Sequence, residues 1–125
     1  MVAKHELGRS GEQMAVDYLV ARGMQILDRN WRCRYGELDV VARDRSELVV
    51  IEVKTRSGRR HGSAFESVTT DKLRRIRALA ARWAQAQRLA AGPGNCIAFS
   101  AIRVDVVALE RIGATYTIRH DRGVA

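Results

Sequence analysis

Only two cysteines, Cys33 and Cys96, occur in 125 residues, and no Cys-x-x-C is present. The histidines His5, His61 and His120 stand apart. The closely spaced Cys or His pairs of a structural zinc site are therefore missing. A disulfide framework is excluded as well, and a lone Cys33–Cys96 bridge would need an oxidising compartment. The stretch Met1-Val2-Ala3-Lys4-His5-Glu6 carries charge but no apolar h-region, so no signal peptide is expected. No apolar run approaches the roughly 20 residues that span a bilayer, and the expected location is the cytoplasm, away from membranes. Internal repeats, low-complexity tracts and long linkers are absent, which predicts a single domain over residues 1–125. Lysine is scarce too: Lys4, Lys54 and Lys72 stand against nineteen arginines. A GC-rich genome produces the same skew, so the choice of basic residue says little.

What the chain has is a hydrophobic fraction of 46% and a charged fraction of 29%. At this length that suffices for a core without staples and argues against disorder. The formal net charge is +8. Lys and Arg neutralise phosphates and release condensed counterions, so the excess points to nucleic acid as partner, with a merely basic surface as the competing reading.

The patterning predicts an α/β domain, a mixed sheet of about five strands flanked by helices in the order α-β-β-β-α-β-β. Ser10 to Arg22 reads as the first helix, with Ser10 as N-cap, Gln13 completing a capping box and Gly23 ending it. Ala15, Val16 and Leu19 form its apolar stripe, with Glu12 one turn upstream on that face. Ile26–Cys33, Glu37–Arg43 and Leu48–Thr55 read as strands. Arg56 to Ala64 reads as a basic loop. Thr69 or Thr70 caps a long helix that ends near Ala91 before Gly92-Pro93-Gly94. Leu73, Ile76, Ala80 and Trp83 lie on its apolar face. Ile102 to Ala108 alternates as a fourth strand, and Tyr116 to Arg119 is a short fifth.

The chemistry concentrates in Gly36 to Arg56. If Arg43 and Leu48 close a four-residue hairpin loop, Asp39 falls opposite Glu52, Glu37 opposite Lys54 and Val41 opposite Val50. Period-2 alternation then puts these six on one face, with Leu38, Val40, Val49, Ile51 and Val53 on the other. Two carboxylates with Cβ atoms about 5 Å apart repel by about 3 kcal/mol at an effective dielectric near 20. Lys54 offsets part of this and a divalent cation would offset more. Mg²⁺ prefers one or two carboxylates plus waters and substrate phosphate. Such a site suits phosphodiester hydrolysis, in which the metal polarises the phosphate and a nearby ammonium orients the water. The alternative is a Glu37–Lys54 ion pair with Asp39 and Glu52 facing solvent.

Asp39 followed by Glu52-Val53-Lys54 resembles the D…(D/E)-x-K pattern of the restriction-endonuclease-like nucleases. More narrowly, Gly11-Glu12 with Ala15 and Leu19, then RNWRCRYGELDVVARD, VIEVKTR, Lys72 and Arg103-Val104-Asp105-Val106-Val107 resemble the YraN family of small bacterial proteins, which are similar to archaeal Holliday-junction resolvases. The resemblance covers nearly the whole chain. It implies a Mg²⁺-dependent endonuclease acting on structured or branched DNA in repair or recombination, with Mn²⁺ able to substitute. Asp39, Glu52 and the Val53 carbonyl would be the metal ligands. Lys54 would assist the attacking water, and Glu12 would approach the metal or its water. Resolvase relatives work as dimers, so a homodimer is expected on the same basis. A non-catalytic nucleic-acid-binding module on the same fold is the alternative.

Several residues carry two readings each. Glu12 can instead stabilise its helix dipole. Lys72 either reaches the site or a phosphate, or is an exposed helix lysine. Arg56, Arg59 and Arg60 are placed to grip a nucleic-acid backbone or are solvated charge. Trp31 and Tyr35, interleaved with Arg29, Arg32 and Arg34, stack unpaired bases or pack the core. Glu37 is read as the partner of Lys54, and Asp105 as structural, on a polar strand face beside Arg103.

Overall fold

The computed structural model describes residues 2–4, 11–57, 69–95 and 98–125, with backbone alone for 2–4 and Ser57. The elements are β1 (Val2–Lys4), α1 (Gly11–Ala21), β2 (Gln25–Cys33), β3 (Gly36–Asp44), β4 (Glu47–Ser57), α2 (Thr70–Ala91), β5 (Ala101–Ile112) and β6 (Thr115–Asp121). The described strands form one six-stranded sheet in the order β1-β6-β5-β4-β3-β2. β4 and β5 run parallel and all other neighbours antiparallel. The fold is thus α/β with a mixed sheet, as the patterning predicts. β1 is an addition to the expected order: three residues are too few to carry a legible period, and their pairing with β6 is what makes them a strand.

Alternation along the strands builds two cores. Val40, Ala42, Val49, Ile51, Val107 and Leu109 pack with Met14, Ala15, Val16 and Leu19 of α1. Leu48, Val50, Val41 and Val104 pack with Ile76, Leu79, Ala80 and Trp83 of α2. One helix therefore covers each face of the sheet, and β4 and β5 are buried on both sides, as their Val-Ile runs require.

α1 ends as its glycine demands. Gly23 has φ +92, its N–H donates to Val20 O, and Met24 N–H reaches back to Leu19 O, which is a Schellman closure. The predicted N-cap, Ser10, lies outside the described residues. α2 starts at Thr69, whose hydroxyl accepts from Lys72 N at 3.2 Å, and stops at Gly92 with φ +80. No helix among the described residues is long and apolar enough to cross a membrane.

The expected β3–β4 register is observed: Val40 pairs Ile51, Val41 pairs Val50 and Arg43 pairs Leu48. The ladder continues to Asp44–Glu47, leaving only Arg45 and Ser46 in the turn, with Arg45 at φ +58. β4 also runs further than predicted. Arg56 is in the strand, paired with Glu110 of β5, because a parallel neighbour of this length extends the ladder past the last apolar residue. Arg59 and Arg60 lie outside the described residues.

Strict alternation fails at a register shift between Ile26 and Asp28, where Leu27 and Asp28 both reach the α2 side, and again further along the same strand pair. Leu38, expected on the side of Val40, clusters instead with α2. Its β2 neighbour Trp31 does the same. Between Arg29, which faces α1, and Trp31 stands Asn30 at φ +52. A left-handed residue turns the following side chain to the other face, and asparagine tolerates that conformation better than most.

Candidate active site

The β3–β4 ladder ends at the Val40–Ile51 pair, one residue before the two acids. Beyond it Asp39 substitutes for a backbone partner, its Oδ2 accepting from Val53 N–H at 2.9 Å. An extended residue sends its N–H and C=O to the same side of the strand, so the Val53 carbonyl also leaves β4 on the edge facing Asp39. The sheet opens there, and residues of both helical layers approach the gap.

The neighbouring carboxylates Glu52 and Glu12 both act on Asp39. Burial first, and then these two neighbours, push its carboxyl up to about 6 against the lowering pull of the Val53 N–H. The acids therefore converge and do not face open solvent. The Glu52 side chain is 12% exposed, and its Oε1 meets Lys54 Nζ at 3.2 Å and Lys72 Nζ at 2.9 Å. Lys54 is two residues away on the same strand face, and Lys72 descends from the first turn of α2. The lysine that could equally have been surface decoration thus belongs to the cluster.

Glu37 does not pair with Lys54. Its Oε2 is held by Arg32 Nε at 3.0 Å, the residue directly across β2–β3. The sheet splays before the Glu37–Lys54 level of the β3–β4 pair is reached, and Lys54 turns to Glu52.

Glu12 reaches the gap from the other layer. Gly11 makes this close approach feasible, since a Cβ there would collide with the Thr55 hydroxyl of β4. The Glu12 Oε1 accepts from Asn30 Nδ2 at 2.9 Å and from Arg29 Nη2 at 3.1 Å. Arg29 and Asn30 as holders of Glu12 were missed in the sequence, where Arg29 counted only as positive charge. An asparagine inside a strand, between Arg29 and Trp31, was the available signal, because it tolerates an αL kink.

A cavity of about 170 Å³ lies over the cluster, lined by Tyr35, Gly36, Glu37, Asp39, Glu52, Lys72, Arg75, Ile76 and Leu79. Arg75 is a second residue the sequence did not single out. Among the described residues no group of three or more His, Cys, Asp or Glu side chains gathers to hold a metal. The donor set is two carboxylates beside a backbone carbonyl. That is too few side chains for a structural zinc but fits the sparse, water-rich coordination of Mg²⁺.

Asp105 is placed elsewhere. It is fully buried, 0% exposed, and not on an open polar strand face, because Arg103, His120 and the Gly123 backbone close around it. Arg103 Nε at 2.9 Å, His120 Nε2 at 2.8 Å and Gly123 N–H at 2.9 Å all meet its carboxylate. Arg103 also binds Asp44 and Glu47, so this network ties β3, β4, β5 and the C-terminal segment together. The expected pairing with Arg103 is present and the role is structural.

Fold and cluster together define a small mixed-sheet α/β domain carrying an acid-and-lysine site at a gap in its sheet. Residues 11–109 match the model of the uncharacterised protein family UPF0102, and the chain belongs to that family. It is 48% identical over 125 residues to a UPF0102 protein of Mycolicibacterium vanbaalenii, covering 98% of this chain and 96% of the relative. It is 56% identical over 111 residues to a UPF0102 protein of Frankia alni, covering 89% and 86%. A UPF0102 protein of Kineococcus radiotolerans is 49% identical over 126 residues, covering 98% and 96%.

Proposed function

We propose that this protein is a Mg²⁺-dependent endodeoxyribonuclease of the restriction-endonuclease-like kind, cutting structured or branched DNA. The observation that carries the reading is the convergence of Asp39 and Glu52 beside Lys54. Two carboxylates are forced together in a half-buried gap, one with its pKa raised to about 6, where a cation would relieve the repulsion. Asp39, Glu52 and the Val53 carbonyl would hold the metal, and Mn²⁺ would substitute. A bound divalent ion supplies Lewis-acid polarisation of a phosphoryl oxygen and acidifies water.

The chain's own residues do the rest. Asp39 is fixed by the Val53 N–H, so its free oxygen is aimed before any ligand arrives. Lys54, held against Glu52, is placed to orient a water or meet charge developing on the phosphate. Glu12, steered by Arg29 and Asn30, approaches Asp39 from α1 closely enough for its charge to act on it, and can accept a proton from that water. Lys72 offers a phosphate contact at the cavity wall, and Arg56 adds a positive charge two residues beyond Lys54 on β4. The resemblance to junction resolvases supports branched DNA as substrate.

The test is incubation of purified protein with branched, single-stranded and duplex DNA, with and without Mg²⁺. Cutting that requires Mg²⁺ and disappears in Asp39→Ala and Glu52→Ala is expected. Cutting that persists in either variant overturns the site.

One observation favours a second reading, a non-catalytic nucleic-acid-binding module. Two ammonium groups already sit on Glu52 Oε1, which neutralises much of the acid charge without a metal. That reading predicts salt-sensitive binding, no cleavage, and little change in binding for Lys54→Ala.

A further inference from the structure

The hairpin tip between β2 and β3 lifts Tyr35 to the mouth of the acidic cavity, where the ring remains 52% exposed. Arg82 of α2 lies 3.7 Å from the ring centroid and Arg34 lies 5.2 Å from it. We propose that Tyr35, with Arg34 and Arg82, is the stacking platform of a single-stranded DNA track that leads away from the acidic cavity along one face of α2. The proposal rests on the nuclease reading for its substrate class, and on separate residues for its geometry.

Four observations converge on it. Tyr35 lines both the acidic cavity and a neighbouring one of about 240 Å³ that also contains Trp31, Arg34 and Arg82. Among the helix positions lining the two, Lys72, Arg75, Leu79, Arg82, Ala86 and Leu89 recur every three or four residues, with Ile76 and Gln85 beside them, and so form one continuous stripe. From Lys72 to Arg82 that stripe runs about 15 Å at 1.5 Å per residue. Charge is the third point. Arg29, Arg32, Arg103 and Arg122 each hold a carboxylate, whereas among the described residues no carboxylate pairs with Arg34, Arg75 or Arg82. Positive charge left uncompensated along a groove is what a phosphate backbone neutralises. Finally, the platform is locally fixed. Gly36 has φ +147, and a Cβ there would press on Leu79 at 3.1 Å, so glycine lets the tip sit down on α2 and sets Tyr35 beside Arg82.

A tyrosine ring that stays half exposed beside guanidinium groups offers its open surface for stacking to any base face. A base inside a duplex has its faces covered already, so the platform selects unpaired nucleotides. At a branch point, the duplex phosphate then enters the acidic cavity while the departing single strand lies on the Tyr35 stripe. Trp31 packs against the α2 core from the floor of the second cavity.

The experiment measures fluorescence anisotropy of a short labelled oligo-dT, a blunt duplex and poly-glutamate, all in EDTA so that nothing is cut. Wild type, Tyr35→Phe, Tyr35→Ala and Arg82→Ala are compared, each checked for an unchanged melting temperature. Tyr35→Ala is expected to bind oligo-dT about tenfold more weakly, with Tyr35→Phe and duplex binding unaffected. Arg82→Ala is expected to weaken oligo-dT binding and lower its salt slope by about one. Wild-type affinity in Tyr35→Ala, equal loss for duplex and oligo-dT, or a preference for poly-glutamate overturns the track. The two readings separate cleanly. If Mg²⁺-dependent cutting is absent yet the Tyr35 pattern holds, the nuclease assignment falls and the track stands. If cutting is present and the pattern fails, the reverse is true.

Discussion

Asp39 meets two opposed demands, holding the Val53 N–H and sharing a half-buried gap with two other acids. Its folded pKa, about 6, lies above the ordinary 3.8. Between those values the folded protein binds more protons than the unfolded chain, so metal-free stability falls as pH rises through that window. Asp39→Asn keeps an oxygen for Val53 and removes the charge, and should flatten the decline in melting temperature between pH 4 and 6. Mg²⁺ should raise the melting temperature of wild type at neutral pH by mass action and leave Asp39→Asn unmoved. A proton competes with the metal for this carboxylate, so Mg²⁺ affinity, followed by calorimetry, should weaken as pH falls below about 6. Asp105 behaves oppositely. Burial alone would raise it, but the bonds from His120, Arg103 and Gly123 outweigh that and hold it below the usual range. Its contribution is present above pH 3.8 and is lost as pH falls through its depressed value. Asp105→Asn breaks a fully buried pair and should cost roughly 3–5 kcal/mol in urea unfolding, without removing a single group from the acidic cavity.

The helix α2 begins where the site needs it. Thr69 caps the helix through Lys72 N, the same residue whose ammonium meets Glu52, so capping and site geometry are coupled. Thr69→Ala should cost about 1 kcal/mol of stability by chemical denaturation and loosen the Lys72–Glu52 contact. The β3–β4 pairing, by contrast, was legible from alternation alone: Val41, Val50, Val40 and Ile51 admit one register that buries both sets. The acid pair followed from it. What alternation could not show was where it stops. Asn30 reverses the side-chain direction, Leu38 follows Trp31 to the α2 side, and Glu37 goes to Arg32. Each of these depends on a dihedral or a splay that a period-2 reading assumes away. β1 was illegible for a different reason, because its only justification is a partner more than a hundred residues downstream. Asp105 looked like a polar-face residue because strand parity counts side chains but not the layers that cover them.

For the molecule as a whole, the net charge of +8 is unevenly committed. Some arginines are consumed in ion pairs that hold strands and loops, as Arg103 is, whereas among the described residues no carboxylate pairs with Arg75 or Arg82 of α2. Binding to any DNA should therefore weaken steeply with salt, with log affinity linear in log salt concentration. Substituting Arg75 by Ala should reduce that slope by about one, whereas substituting the carboxylate-bound Arg32 should change it less. A titration at several salt concentrations reads both.

β4 joins β5 in parallel along its full length, from Glu47–Ala101 to Ser57–Arg111. No hairpin can make that join; the chain must first travel through α2. While the protein is being synthesised, the β2-β3-β4 meander emerges with its last strand bare on one flank, and that strand carries Leu48-Val49-Val50-Ile51. Until residues 101–111 leave the ribosome, the most aggregation-prone edge of the molecule is also the strand that bears Glu52 and Lys54. A chain ended after Asn95 should accordingly collect in the insoluble fraction, while the full-length chain remains in the supernatant.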